Sequence, residues 1–192
     1  NIEDCAGVCG GDAVYDNCFV CDNNPENDCP YDCEGVLNGD AVVLWEFCYP
    51  VDTTTAIDLT SLGLSGEIPS EIGNLINLQV LQLRENNLTG SIPESICNLH
   101  NLTNLYLHTN HLSGEIPSCI GDLVSLENLT LGAGAHAGGG NSLTGEIPES
   151  LWNITSLVQL DVEGNQLTGE ISESIGNLIN LDYLALGGNQ FY

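Results

Sequence analysis

Five copies of one short phrase limit how this chain can fold. Gly66-Glu-Ile-Pro, Gly90-Ser-Ile-Pro, Gly114-Glu-Ile-Pro, Gly145-Glu-Ile-Pro and Gly169-Glu-Ile-Ser begin at intervals of 24, 24, 31 and 24 residues. Self-similarity at this period predicts a solenoid, in which each unit forms one turn and leans on its neighbours. Each unit also carries L-x-x-L-x-L-x-x-N-x-L, complete at Leu78, Leu81, Leu83, Asn86 and Leu88, and again at Leu102, Leu105, Leu107, Asn110 and Leu112. The L-x-L pair reads as a short strand with alternate residues turned inward. One unit cannot bury its leucines alone, so stacked units share a continuous core.

Asn86, Asn110, Asn141, Asn165 and Asn189 fall where the chain leaves each strand. A buried amide there satisfies backbone groups of its own and neighbouring turns, which an apolar residue cannot do. The first unit carries Leu62 instead, as an atypical terminal repeat does.

The extended phrase L-x-x-L-x-L-x-x-N-x-L-[ST]-G-x-I-P resembles the plant-specific leucine-rich repeat of receptor-like proteins, receptor kinases and polygalacturonase inhibitors. The match covers 53–192, five to six repeats, with a seven-residue insertion at about 132–140. The resemblance implies a leucine-rich-repeat solenoid: a parallel sheet on the concave face, a second short sheet, and helical turns on the convex side. It leaves the ligand open, because the family binds many things.

The N-terminal 50 residues are a different object. Gly7-Val-Cys-Gly-Gly-Asp-Ala-Val14 recurs, degenerate, as Gly35-Val-Leu-Asn-Gly-Asp-Ala-Val42. The first copy resembles Asp-Cys-x-Gly-x-Cys-Gly-Gly repeats of large secreted adhesion-type proteins. We read 1–32 as a cysteine-rich acidic module and 33–52 as an N-terminal cap of the solenoid.

Nine cysteines in 192 residues indicate a disulfide framework formed in an oxidising, extracellular compartment. Zinc is the rival for Cys18-x-x-Cys21, but no second such pair follows and no histidine precedes His100. Cys97 and Cys119 fall on the convex side of adjacent turns, about 5 Å apart as rungs, which suits a bridge. Their phrases also resemble a paired position in plant receptor-like proteins; the alternative is two buried free thiols. The bridge would leave Cys5, Cys9, Cys18, Cys21, Cys29, Cys33 and Cys48, an odd set with one thiol free or intermolecular.

Charge narrows the partners. There are 27 acidic residues against a single basic one, Arg84, for a formal charge of −26. Such a surface repels nucleic acid and anionic membrane, and no apolar stretch approaches the roughly 18 residues of a membrane span. A signal peptide, if the chain had one, is already removed. Asp22, Asn24, Glu26 and Asp28 present oxygen ligands at alternate positions, as calcium loops do; a solvated acidic loop is the competing reading.

Four sequons mark N-glycosylation at Asn87, Asn101, Asn128 and Asn153. Asn128 lies on a strand and points to the concave face, where a glycan would obstruct ligands. Two concave columns follow from the repeat: Thr60, Arg84, His108, Gly132, Glu163, Gly187, and Asp58, Gln82, Tyr106, Thr130, Asp161, Ala185. No serine or cysteine nucleophile joins His108, so an enzyme is not expected.

Two functions remain. The first is an extracellular structural or adhesion protein that assembles head to tail, through a flank of Leu181, Leu184, Leu186 and Phe191 left uncovered where the sixth unit stops. The alternative is a ligand-recognition module, a receptor ectodomain fragment or a secreted inhibitor of a carbohydrate-active enzyme. It would bind another extracellular protein on the concave face through Arg84, Tyr106, His108 and Tyr183.

Overall fold

The computed structural model describes residues 40–132 and 140–192, together with the backbone pairing of β1 (Val14–Tyr15) with β2 (Cys21–Asp22). The chain divides into two compact units, Asn1–Thr53 and Thr54–Tyr192. In the first unit, β3 (Ala41–Leu44) and β4 (Phe47–Pro50) form an antiparallel hairpin. Its two-residue turn, Trp45 and Glu46, has φ of 47° and 71°. Both residues are left-handed, which matches the twist of a tight hairpin. Cys48, on β4, is disulfide-bonded.

The second unit is the repeat array. Six three-residue strands, β5 (Ala56–Asp58), β7 (Val80–Gln82), β9 (Asn104–Tyr106), β11 (Asn128–Thr130), β13 (Gln159–Asp161) and β14 (Tyr183–Ala185), form one parallel sheet in the order β14-β13-β11-β9-β7-β5. The middle residues of the first five strands are buried: Ile57 is 2% exposed and Leu81, Leu105, Leu129 and Leu160 have no exposed surface, whereas Leu184 of the terminal β14 is exposed. Leu78, Leu83, Leu102, Leu107, Leu126 and Leu131 complete the same core. A second set of parallel pairings runs along the other flank of the repeats. It joins β6 (Ser65–Gly66) to β8 (Asn87–Leu88) and β10 (Ser113–Glu115) to β12 (Ser142–Thr144).

Short 3-10 turns close each repeat at Ser70–Asn74, Glu94–Asn98, Ser118–Asp122, Glu149–Asn153 and Glu173–Asn177. The first four follow a proline, whose fixed φ suits the start of a turn. Adjacent turns approach closely by two means. Gly73 and Gly121 leave room for Ser95 and Ser150 of the next turn, and a Cβ on either glycine would sit 2.7 Å from the serine Cβ. At the intervening step, where Cys97 occupies the glycine position, the neighbour is Cys119 and the two are bonded, with Cα atoms 5.9 Å apart.

The asparagine ladder follows from satisfying buried backbone groups. Asn110 donates from Nδ2 to Leu83 O (2.9 Å) and Leu107 O (3.1 Å) and accepts at Oδ1 from Leu88 N (3.1 Å). Asn86 bonds Leu59 O, Leu83 O and Leu64 N in the same way. Asn141, beyond the insertion, keeps the pattern by donating to Leu107 O and Leu131 O and accepting from Leu112 N. The strands on either side also keep their register, with Leu105, Leu129 and Leu160 aligned. The sheet register is therefore the same on both sides of the insertion.

Candidate functional site: the concave sheet face

Because the middle residue of every strand but the terminal β14 is buried, the first and third residues face outward in columns. The register aligns Asp58, Gln82, Tyr106, Thr130, Asp161 and Ala185 in one column. A second column aligns Ala56, Val80, Asn104, Asn128, Gln159 and Tyr183.

Three of the four residues singled out for ligand contact come together here. The rings of Tyr106 and His108 meet edge to face, centroids 6.4 Å apart at 89°. Arg84 lies close enough for its charge to act on His108, whose imidazole is held below its ordinary 6.5 first by burial and then by that charge. Asp161 and Glu85 pull the other way and only partly offset it. Tyr183 is on β14, three strands from β9 in the sheet order, so it belongs to a separate part of the face.

Other contacts tie the patch together. The His108 Nδ1 is 2.7 Å from the Thr130 hydroxyl. Asn104 Nδ2 donates to the Tyr106 hydroxyl (3.1 Å), and Thr103 donates to Asn104 Oδ1 (2.9 Å). Asp58 accepts from the Thr60 amide (3.1 Å), the Thr60 hydroxyl (2.7 Å) and Gln82 Nε2 (3.3 Å). These bonds to Thr60, with Arg84 a minor contributor, hold its carboxyl below the usual 3.8. Arg84 Nε is buried without a hydrogen-bond partner among the described residues.

Thr130 and Asn104 stand in the concave columns, yet nothing in their spacing marks them as ligands of His108 and Tyr106. Recognising those bonds requires side-chain direction, along β9 for Asn104 and Tyr106 and between adjacent repeats for His108 and Thr130.

The sequon residues are distributed around the repeats. Asn87, Asn101 and Asn153 are exposed, and Asn128 is half-buried on β11. Asn101 also donates from Nδ2 to Ile76 O (2.9 Å), part of a second polar column in which Ser156 bonds Val124 O and Asn180 bonds Thr155 O. Thr130, the third residue of the Asn128 sequon, is buried. Leu184 is 41% exposed and Leu181, Leu186 and Phe191 are partly exposed. The side chains of Asp22, Asn24, Glu26 and Asp28, and of every cysteine before Cys48, lie outside the described residues, as do residues 133–139 of the insertion. Among the described residues no group of three or more His, Cys, Asp or Glu side chains could hold a metal, and no helix is long and apolar enough to cross a membrane.

A parallel sheet of one strand per repeat, a buried asparagine ladder and a closing 3-10 turn define a leucine-rich-repeat solenoid. A family model described as a leucine-rich repeat region matches residues 56–190, and the chain belongs to that family, in its plant type. The plant peptide hormone receptor RGFR1 in complex with RGF2 is 34% identical over 71% of this chain and 21% of its own, with a TM-score of 0.67. The Arabidopsis receptor kinase HAESA, in complex with the peptide hormone IDA and the co-receptor SERK1, is 38% identical over 70% of this chain and 22% of its own, TM-score 0.65. The ectodomain of the receptor kinase SOBIR1 from Arabidopsis thaliana is 28% identical over 80% of this chain and 81% of its own, TM-score 0.66. The chain spans about a fifth of the length of the first receptor structures it matches. No curated protein matches the chain in sequence.

Proposed function

We propose that this protein is an extracellular ligand-recognition module of the receptor-ectodomain kind, binding a peptide or a second extracellular protein on its concave sheet. The observation that carries this reading is the grouping of Arg84, Tyr106 and His108 on adjacent outward positions of a rigid sheet. Aromatic and arginine side chains on a fixed scaffold are the usual anchors of protein interfaces. Receptors of similar fold that bind peptide hormones and a co-receptor support it. Neither the fold nor these relatives favours the head-to-tail assembly reading, and catalysis has no support on this face.

The same reading takes Asn87, Asn101, Asn128 and Asn153 as N-glycan acceptors of a secreted or cell-surface chain. A glycan on Asn128 would stand beside Asn104 and Gln159 and leave ligands the neighbouring column of Gln82, Tyr106, Thr130 and Asp161 and the positions beyond it. The test is selection of ligands from displayed peptides on the secreted, glycosylated chain. Peptides that bind the wild type and lose at least tenfold in affinity on Arg84→Ala, Tyr106→Ala or His108→Ala are the expected result. A panel in which every binder ignores all three substitutions would refute the site.

A further inference from the structure

The face carries opposite charges at two separated points. Arg84, on the repeat of β7, is the single basic residue of a chain with a formal charge of −26. Asp58, on which the Arg84 charge acts weakly, directs its oxygens to Thr60 and Gln82, while Arg84 Nε is buried and unpartnered among the described residues. On the repeat of β13 stand Asp161 and Glu163. Small residues surround them: Thr130 and Ala185 flank Asp161 in register, and Gly132 and Gly187 flank Glu163. A Cβ on Gly132 would collide with the Asp161 carboxylate, and one on Gly187 would reach 3.5 Å from Glu163 Oε1. Glu163 is exposed and Asp161 partly so, and although Asp161 Oδ1 accepts from the Glu163 amide (3.0 Å), no large side chain screens either acid from the concave side.

Between these two points the outward strand positions, Asn104, Tyr106, Asn128 and Thr130, carry no charge, while Glu85 adjoins Arg84 and its charge reaches His108. Tyr106 offers an aromatic edge. His108 is bonded to Thr130 and is held towards its neutral form, so it adds no second cation beside Arg84.

Three strand steps separate β7 from β13, which at about 4.8 Å per step is about 14 Å. An extended peptide rising about 3.3 Å per residue covers that distance in about four residues.

Resting on the recognition reading above, we propose that the concave face takes a dipolar peptide laid across the strands, with a carboxylate at Arg84 and a lysine or arginine at Asp161–Glu163, about four residues apart. Charge complementarity selects this occupant over simpler ones. A purely anionic ligand is repelled by the field of the whole molecule. A purely cationic one gains at Asp161 and Glu163 but is opposed at Arg84. Only a ligand bearing both signs at this spacing is attracted at both ends, and wrong-sign juxtaposition disfavours the rest.

The test is phage display of random 12-residue peptides on the full secreted chain, repeated on Arg84→Glu and on Asp161→Lys with Glu163→Lys. All three substituted side chains point outward from the sheet, and circular dichroism melting checks each variant's fold. Wild-type selection is expected to enrich peptides with an acidic and a basic residue about four apart. Removing either charge from a selected peptide should weaken it at least tenfold. Arg84→Glu should replace the acidic requirement with a basic one, and the double lysine variant should invert the other end. Enriched peptides that depend on Tyr106 or Arg84 but show no paired charges would overturn the dipolar inference and leave the recognition reading standing. Selection of no peptide dependent on Arg84, Tyr106 or His108 would overturn both.

Discussion

His108 Nδ1 and Thr130 Oγ1 lie 2.7 Å apart on neighbouring repeats of the concave face, in a site that disfavours the charged imidazole. The folded-state pKa of His108 is lowered below 6.5 by burial and by Arg84. The unfolded chain therefore binds the proton more readily, and the stability that His108 contributes is present above 6.5 and is lost as pH falls through 6.5 towards the folded value. An NMR titration of the His108 ring should give a midpoint below 6.5; a midpoint at or above it would contradict the site's electrostatics. Thr130→Val should cost about 1 kcal/mol of stability for the lost hydrogen bond. That substitution also destroys the Asn128 sequon, so Asn128→Gln is the control that separates the bond from the glycan.

Replacing Asn110 tests the ladder. Asn110→Leu leaves Leu83 O, Leu107 O and Leu88 N without their side-chain partner in the core. With about 1–3 kcal/mol at stake for each buried group left unsatisfied, a loss of at least about 3 kcal/mol is expected in urea denaturation. The equivalent change at Asn189, which is only partly buried, should cost less, because water can replace the amide. Equal losses at the two positions would show that burial does not set the cost.

The glycines of the 3-10 turns are not equivalent. Gly73→Ala and Gly121→Ala place a methyl group against Ser95 and Ser150 and should destabilise by about 1–3 kcal/mol through overpacking. Gly176→Ala meets nothing within 4 Å and should be neutral, or stabilising by up to about 1 kcal/mol because it restricts the unfolded chain. Thermal melts of the three single variants decide this, and a Gly73→Ala variant as stable as Gly176→Ala would rule out the close approach.

The Cys97–Cys119 bond closes a loop across adjacent repeats, with a sequence separation of 22. Chain-entropy arguments assign about 3 kcal/mol to a loop of this size. Cys97→Ala combined with Cys119→Ala should lower stability by about that amount and leave the sheet register intact. Circular dichroism and equilibrium unfolding, each under non-reducing conditions, provide the check.

The repeat architecture was readable in the sequence because it is a matter of period. Leucines at Leu78, Leu81 and Leu83, an asparagine at Asn86 and a glycine at Gly90 recur at one spacing, and that spacing imposes the strand, the buried amide and the turn. Even the outward columns containing Arg84, Tyr106 and His108 could be drawn beforehand, since alternation along a strand decides which residues leave the core. Period does not say how far apart two columns' members stand or where each side chain leans. The tertiary structure alone separated Tyr183 from the other three, bonded His108 to Thr130, turned Asp58 towards Thr60 and paired Gly73 with Ser95. The Asp58–Thr60 bond is a local rotamer choice, whereas His108–Thr130 and Gly73–Ser95 are contacts between neighbouring turns, made by residues 22 positions apart. Such contacts depend on the stacking of one repeat on the next, which the pattern within a single repeat does not contain.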